Sequence, residues 1–180
     1  MKISTRDMTA CALLAALTAV CSQITVPLPG GVPLTLSLVA VYLSGALLAP
    51  AWAAASQLVY LLLGAFGLPV YAGFSSGLGV LFGPTGGYLF VYPLMALCVS
   101  LGVARWGHRG LPTAGAMGAA LLLCYGAGTA WFMAAAHTGL GAALAACVLP
   151  FVPADLLKIA LAALVGCRVG PRLRQPARGN

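Results

Sequence analysis

Charge is the property this sequence has least of. Only 6% of its 180 residues are Asp, Glu, Lys or Arg, against about 25% in an ordinary soluble domain, and a water-facing surface cannot be built from so few. Between Met8 and Ala104 there is no charged residue at all. A bilayer core takes about 20 apolar residues per helical crossing, so that stretch alone has room for several. The ten-residue segments of alternating polarity that mark a membrane β-barrel are also missing; continuous apolar runs such as 40 to 48 and 116 to 123 stand instead. The six cysteines (11, 21, 98, 124, 147 and 167) show no paired ligand spacing, which leaves neither a metal site nor a disulfide framework and makes them small buried hydrophobes. No Gly-x-x-x-x-Gly-Lys phosphate loop occurs, so ATP hydrolysis, if it is needed, falls to a partner.

What is present is 62% hydrophobic residues with Pro and Gly punctuation. The reading is an all-α integral membrane protein, one membrane domain over 1 to 180. Its six spans are expected at about 8 to 25, 34 to 49, 51 to 66, 85 to 104, 113 to 134 and 142 to 167. Lys2 and Arg6 ahead of an apolar run could suggest a signal peptide, but that run is nearly span length and more spans follow, so it reads as an uncleaved first helix. Spans two and three meet at Pro50, which can open a helix but not sit inside one, and are expected to form a tight hairpin. Span six carries Pro150 and Pro153, which should break it just before Asp155. No repeat links the two halves, so nothing supports an inverted-repeat transporter.

The net charge of +7 comes from three short clusters rather than one patch, which excludes a nucleic-acid surface and reads as topology. Lys2 and Arg6 precede span one, Arg105 and Arg109 lie between spans four and five, and Arg168, Arg172, Arg174 and Arg178 follow span six. Short loops rich in Lys and Arg stay cytoplasmic, and with six spans all three clusters fall on one side. The expected protein is therefore multi-pass in the cell (inner) membrane, with both termini cytoplasmic.

Asp155 and Lys158 are the only charged residues inside an expected span. At i and i+3 they share one helical face, and each costs about 2.5 to 3.5 kcal/mol at a helix centre. Lys158 is ten residues from Arg168, hence roughly 15 Å from the cytoplasmic edge, beyond comfortable snorkelling. Mutual neutralisation as a structural pair is one reading. Intramembrane charges generally mark function, however, and an acid beside a cationic donor suits a ligand group with both N–H donors and a carbonyl, such as a ureido or amide unit. Asp155 follows the Pro153 break, where the helix dipole favours negative charge.

The outward loop from 67 to 87 is the second constellation. It carries six glycines between Gly73 and Gly87, permitting left-handed turns and close backbone approach. With about 18 residues between spans three and four, and Tyr, Phe, Leu and Val interleaved, it is longer and more apolar than a linker, and reads as a re-entrant binding loop or lid. Gly73-Phe-Ser75-Ser-Gly77 fits the Gly-x-Ser-x-Gly pattern, with His137 a conceivable base, but that motif needs a strand before its serine; no catalytic residue is assigned and His137 reads as a loop residue. In span one, Ala12 and Ala16, and Ala15 and Ala19, make small-xxx-small faces that allow close helix contact, either within the bundle or with a partner.

Four ordered motifs carry a likeness to a known family: 27 to 36 (PLPGGVPLTL), the end of 61 to 73 (GLPVYAG), 78 to 88 (LGVLFGPTGGY) and 150 to 158 (PFVPADLLK). Over most of the chain the sequence resembles the BioY family, the biotin-binding S components of energy-coupling-factor (ECF) transporters. The resemblance implies a six-helix, non-enzymatic subunit without cofactor or metal. It would bind biotin from the outer side and deliver it with a transmembrane coupling subunit and cytoplasmic ATPases. By position, Asp155, Lys158 and Tyr88 match polar ligand contacts of the family, and the loop Gly73 to Gly79, with Gly77, would close over the ligand. Gln23 and Ser75 are secondary ligand candidates, and Ala12, Ala15, Ala16 and Ala19 the partner face. Ser37 stands where the family often has Gln, and Phe74 interrupts a stretch usually richer in Gly. The competing readings are an S component for another small vitamin, or a stand-alone secondary transporter or channel.

Overall fold

The computed structural model describes residues 4–27 and 32–173. Lys2, Arg174, Arg178 and the core of the 27 to 33 loop lie outside the described residues. Eight α-helices are found among them: α1 (Thr5–Gln23), α2 (Ser37–Leu47), α3 (Pro50–Ala65), α4 (Leu78–Leu81), α5 (Gly86–Trp106), α6 (Gly110–Ala136), α7 (Leu140–Cys147) and α8 (Val152–Leu173). The all-α expectation and the apolar segments are recovered, with shifts at the ends. The chain between α1 and α2 does not begin a helix at residue 34. β1 (Thr25–Val26) and β2 (Leu34–Thr35) pair antiparallel, and prolines at 27 and 33, next to the two strands, favour extended backbone in the residues before them.

By length and apolarity α5 and α6 can each cross a membrane, and α7 with α8, bent by 49° across a short break, makes a third crossing if taken as one span. α2 and α3, at 11 and 16 residues, are shorter than the roughly 20 a straight crossing takes. Only Leu48 and Ala49 separate them, and Pro50 opens α3, where its missing N–H costs nothing. The break at 148 to 151 is also where the prolines place it. Pro150 offers no donor there, and Pro153 falls in the first turn of α8, so Asp155 stands at the start of a fresh helix.

α2 is the hub. Ala40, Val41, Tyr42 and Ala46 are buried on different sides of it, and it packs against α1, α3, α5 and α8, as a helix apolar all round does in the centre of a bundle. Three buried hydroxyls are satisfied locally: Thr18, Ser22 and Ser44 donate to the carbonyls of Leu14, Thr18 and Ala40, four residues earlier, at 2.8, 2.8 and 2.9 Å. The fully buried Gln57 amide donates to Ser44 Oγ at 2.8 Å and Thr18 Oγ1 at 3.2 Å, stitching α3 to α2 and α1. The outer surface is the reverse of a soluble protein's, with Leu13, Leu62, Leu94, Leu122, Leu157 and Leu164 exposed where lipid would meet them.

Gly45 lets α2 and α5 touch backbone to backbone: a Cβ there would stand 2.6 Å from Val99 Cβ and 2.7 Å from the Ala96 carbonyl. Gly45→Leu is expected to force the central helices apart and lower stability by about 1–3 kcal/mol or more, read as a fall in melting temperature in detergent. A melting temperature equal to that of the native protein would show that α2 and α5 do not meet at this position.

Candidate functional site

The restart of the chain at Val152 aims the first turn of α8 into the bundle. Asp155 is 1% and Lys158 5% exposed; Lys158 Nζ donates to Asp155 Oδ1 at 2.7 Å. From α6, the Tyr125 hydroxyl donates to the other carboxylate oxygen, Oδ2, also at 2.7 Å. Both oxygens are thus held. A buried carboxylate is tolerable only with such partners, and here one is a cation and the other a neutral donor.

The pair does not face solid packing. It lines a small cavity of about 70 Å³, with Leu38, Tyr88, Tyr92, Cys124 and Phe151 as its largely apolar walls. A second lobe of about 130 Å³ adjoins it, sharing Val32, Pro33, Thr35, Tyr88 and Tyr92 and adding the hydroxyls of Ser22, Ser37, Ser75 and Thr85. Together they fall below the roughly 300–1,000 Å³ usual for a drug-sized ligand, so the site suits a compact solute with a polar group at each end and an apolar middle.

Tyrosines build the boundary between the lobes. Tyr92 stacks on Tyr60 at 6.3 Å, and Tyr71 meets Tyr60 edge-on at 5.6 Å. The Tyr92 hydroxyl is 2.7 Å from Ser37 Oγ, which is 2.6 Å from Thr35 Oγ1, while the Tyr60 hydroxyl is 2.8 Å from Ser22 Oγ. The Tyr88 ring lies against Gly128 of α6, where a Cβ would collide with it, and its hydroxyl is 3.1 Å from Thr129 Oγ1.

The loop after α3 lines the second lobe with Tyr71, Ala72 and Ser75. Tyr71 is 1% exposed and donates to the Leu61 carbonyl at 2.6 Å; burial pushes its phenol up to about 12, so it stays protonated as a donor. Tyr71 N donates to Ser75 O at 3.0 Å, closing a five-residue ring. Gly73 and Phe74 turn inside that ring at φ of 66° and 58°, the left-handed region that glycine enters freely and phenylalanine only under constraint. The constraint on Phe74 comes from α1. The Gln23 side chain accepts from Phe74 N at 2.8 Å and donates to the Tyr71 carbonyl at 3.2 Å, holding the ring from both ends.

Of the residues singled out from sequence, Asp155, Lys158, Tyr88 and Ser75 come together around the two lobes. Gly73, Gly77 and Gly79 line neither lobe. They lie in the segment after α3, Gly73 and Gly77 at positive φ, and Gly77 N donates to the Gly64 carbonyl at 2.7 Å. Gln23 is engaged by the backbone of that segment. Ser75 Oγ donates to the Ala72 carbonyl at 2.8 Å, and His137 is an exposed left-handed cap at the end of α6. On α1, Ala12 and Ala16 are exposed while Ala15 is buried and Ala19 half-buried, so the two small faces point different ways. Among the described residues no group of acidic, His and Cys side chains could hold a metal ion. Tyr125, Tyr92, Thr35 and Ser22 are site residues that the sequence reading passed over. The available signal for Tyr125 was an aromatic with a polar tip inside an expected span.

Removing the Tyr125 hydroxyl (Tyr125→Phe) is expected to lower stability by about 1–3 kcal/mol, and Lys158→Met, which strands the carboxylate, by about 3–5 kcal/mol. The double replacement Asp155→Leu with Lys158→Met should recover most of that loss. Thermal unfolding of the purified variants checks this; a double variant as unstable as Lys158→Met alone would mean the two charges are not a mutually compensating pair.

Residues 1–175 match the BioY family. A protein of Pyrococcus horikoshii (strain OT-3) named probable biotin transporter BioY is 40% identical over 164 residues, covering 91% of this chain and 96% of the relative. The biotin transporter BioY of Thermotoga maritima (strain MSB8) is 35% identical over 173 residues, covering 91% of this chain and 95% of its own. The fold is also that of a solved protein, the S-component for biotin from an ECF-type ABC transporter, at a TM-score of 0.87 and 20% identity over 93% of this chain and 94% of that one. Extended similarity to several relatives, a shared fold and helices apolar enough to cross a bilayer lead to one conclusion: this chain belongs to the BioY family, whose members are membrane transport proteins and not enzymes.

Proposed function

We propose that the protein is a biotin-binding S component that captures biotin from the outer side of the cell membrane. The observation that carries this reading is the buried Asp155–Lys158 pair on the wall of a cavity, in a chain whose relatives are named biotin transporters. The ureido ring of biotin offers two N–H donors and a carbonyl. Asp155 can accept from the former and Lys158 can donate to the latter. The apolar thioether ring then lies between Tyr88, Tyr92 and Phe151, and the anionic tail extends into the lobe lined by Ser22, Ser37, Ser75 and Thr85.

In this reading six spans, with α7 and α8 as one bent crossing, place the basic clusters and both termini on the cytoplasmic side. The loop held by Gln23 lies on the outer side and closes the lobe that receives the tail. Delivery falls to an ECF module of a transmembrane coupling subunit and cytoplasmic ATPases, with the exposed Ala12 and Ala16 face of α1 as the partner contact; Ala15 and Ala19 pack inward instead.

Equilibrium binding of labelled biotin to the purified protein is the test. The native protein is expected to hold biotin without any partner. Asp155→Asn and Lys158→Ala should each weaken it about 10- to 100-fold, the worth of one hydrogen bond to a charged group. The stability-restoring double variant Asp155→Leu with Lys158→Met should not bind at all. Native-like affinity in both single variants would remove the pair from the site, and tighter binding of a different vitamin in competition would reassign the substrate.

A further inference from the structure

A larger cavity lies away from the ion pair. It is an open groove of about 650 Å³ between the second half of α5 and the first half of α6, lined among others by Leu101, Arg105, Trp106, Pro112, Gly115 and Ala119. Positions 98, 101, 102 and 105 of α5, and 112, 115, 116 and 119 of α6, all line it, so each helix contributes a single face at i, i+3, i+4, i+7 spacing. From 98 to 105 the groove runs about 10 Å along the axis, the scale of several methylene groups.

Its shape has a cause in the sequence. Gly102 and Ala116 meet beneath, where a Cβ on Gly102 would stand 2.5 Å from that of Ala116, and they form the floor. Above them Gly115 has open space where a Cβ would be, and Ala119 is exposed, so the α6 wall is low. The walls are apolar except at one end. There Arg105 is exposed and makes no ion pair or hydrogen bond among the described residues. Trp106 is 55% exposed beside it, and Arg109, also exposed, caps α6 across the turn.

An apolar trough, laterally open and ending in a cation and a tryptophan, is complementary to an amphiphile with an aliphatic tail and an anionic head. Indole rings settle at the headgroup level of a bilayer, and basic pockets between helices on the cytoplasmic side select anionic headgroups. We propose that the α5–α6 groove binds an anionic phospholipid, its acyl chain lying along Leu101, Gly115 and Ala119 and its phosphate on Arg105. A helix of a partner subunit would need the trough but not the cation at its end, and a zwitterionic lipid would gain little from that cation.

The test is native mass spectrometry of the full chain, titrated in detergent with phosphatidylglycerol or with phosphatidylcholine of the same acyl chains. Phosphatidylglycerol adducts are expected at about fivefold lower lipid concentration, the effect of one arginine near the surface. Arg105→Gln should erase that preference and Arg105→Lys keep it. Gly115→Leu, which fills the trough, should remove retention of both lipids while helical circular dichroism is unchanged; Ala119→Leu serves the same purpose if the first variant fails to fold. Equal retention of the two lipids by the native protein, or a preference surviving Arg105→Gln, overturns the proposal. So does a filled groove that still retains phosphatidylglycerol but no longer associates with a membrane partner.

Discussion

A carboxylate and an ammonium held 2.7 Å apart inside an apolar bundle constrain everything around them. Removing two charges from water costs several kcal/mol per ion, and replacement of such a pair by well-packed apolar residues is often neutral or stabilising. Packing alone therefore gives no reason to keep Asp155 and Lys158. The fold works to hold them: the break at 148 to 151 starts a new helix three residues upstream of Asp155, and Tyr125 is brought from α6 to take the second carboxylate oxygen. The cavity beside them gives that effort a purpose, because a wall of fixed donors and acceptors can exchange bonds with a solute at little reorganisation.

The same economy extends outward. The chain of hydroxyls from Thr35 through Ser37 to Tyr92, with the stacked Tyr60 anchored on Ser22, makes the second lobe from groups already satisfied by one another. The loop beside it is fastened to α1 through Gln23, whose two hydrogen bonds to that loop hold Phe74 in a conformation it would not adopt alone. The helix that carries the proposed partner face is thus the helix that holds this loop.

Hydropathy and proline placement made much of this legible in the sequence. The lack of charge between Met8 and Ala104 exposed the membrane class, Pro50 marked the start of α3, and Pro150 with Pro153 located the break before Asp155. The i, i+3 spacing of Asp155 and Lys158 put them on one face, and the structure joins them. What stayed hidden was long-range. Nothing local to Tyr125 announces a bond to a residue 30 positions away, and nothing in Gln23 distinguishes a lid fastener from a ligand contact. Alanine periodicity could not say that Ala12 and Ala16 face outward while Ala15 faces in. The β1–β2 ladder was missed because two-residue strands carry no period to read.

The central claim is that the buried pair exists to hold a ureido group. Isotope-edited infrared difference spectroscopy, with biotin labelled at the ureido carbonyl carbon, reports on that contact directly. The account expects the labelled band to move to lower frequency on binding, as a carbonyl does when it accepts from an ammonium, and to lose most of that shift in Lys158→Met at saturating ligand. A band at its aqueous position in the native complex, or one unmoved by the lysine replacement, would contradict it.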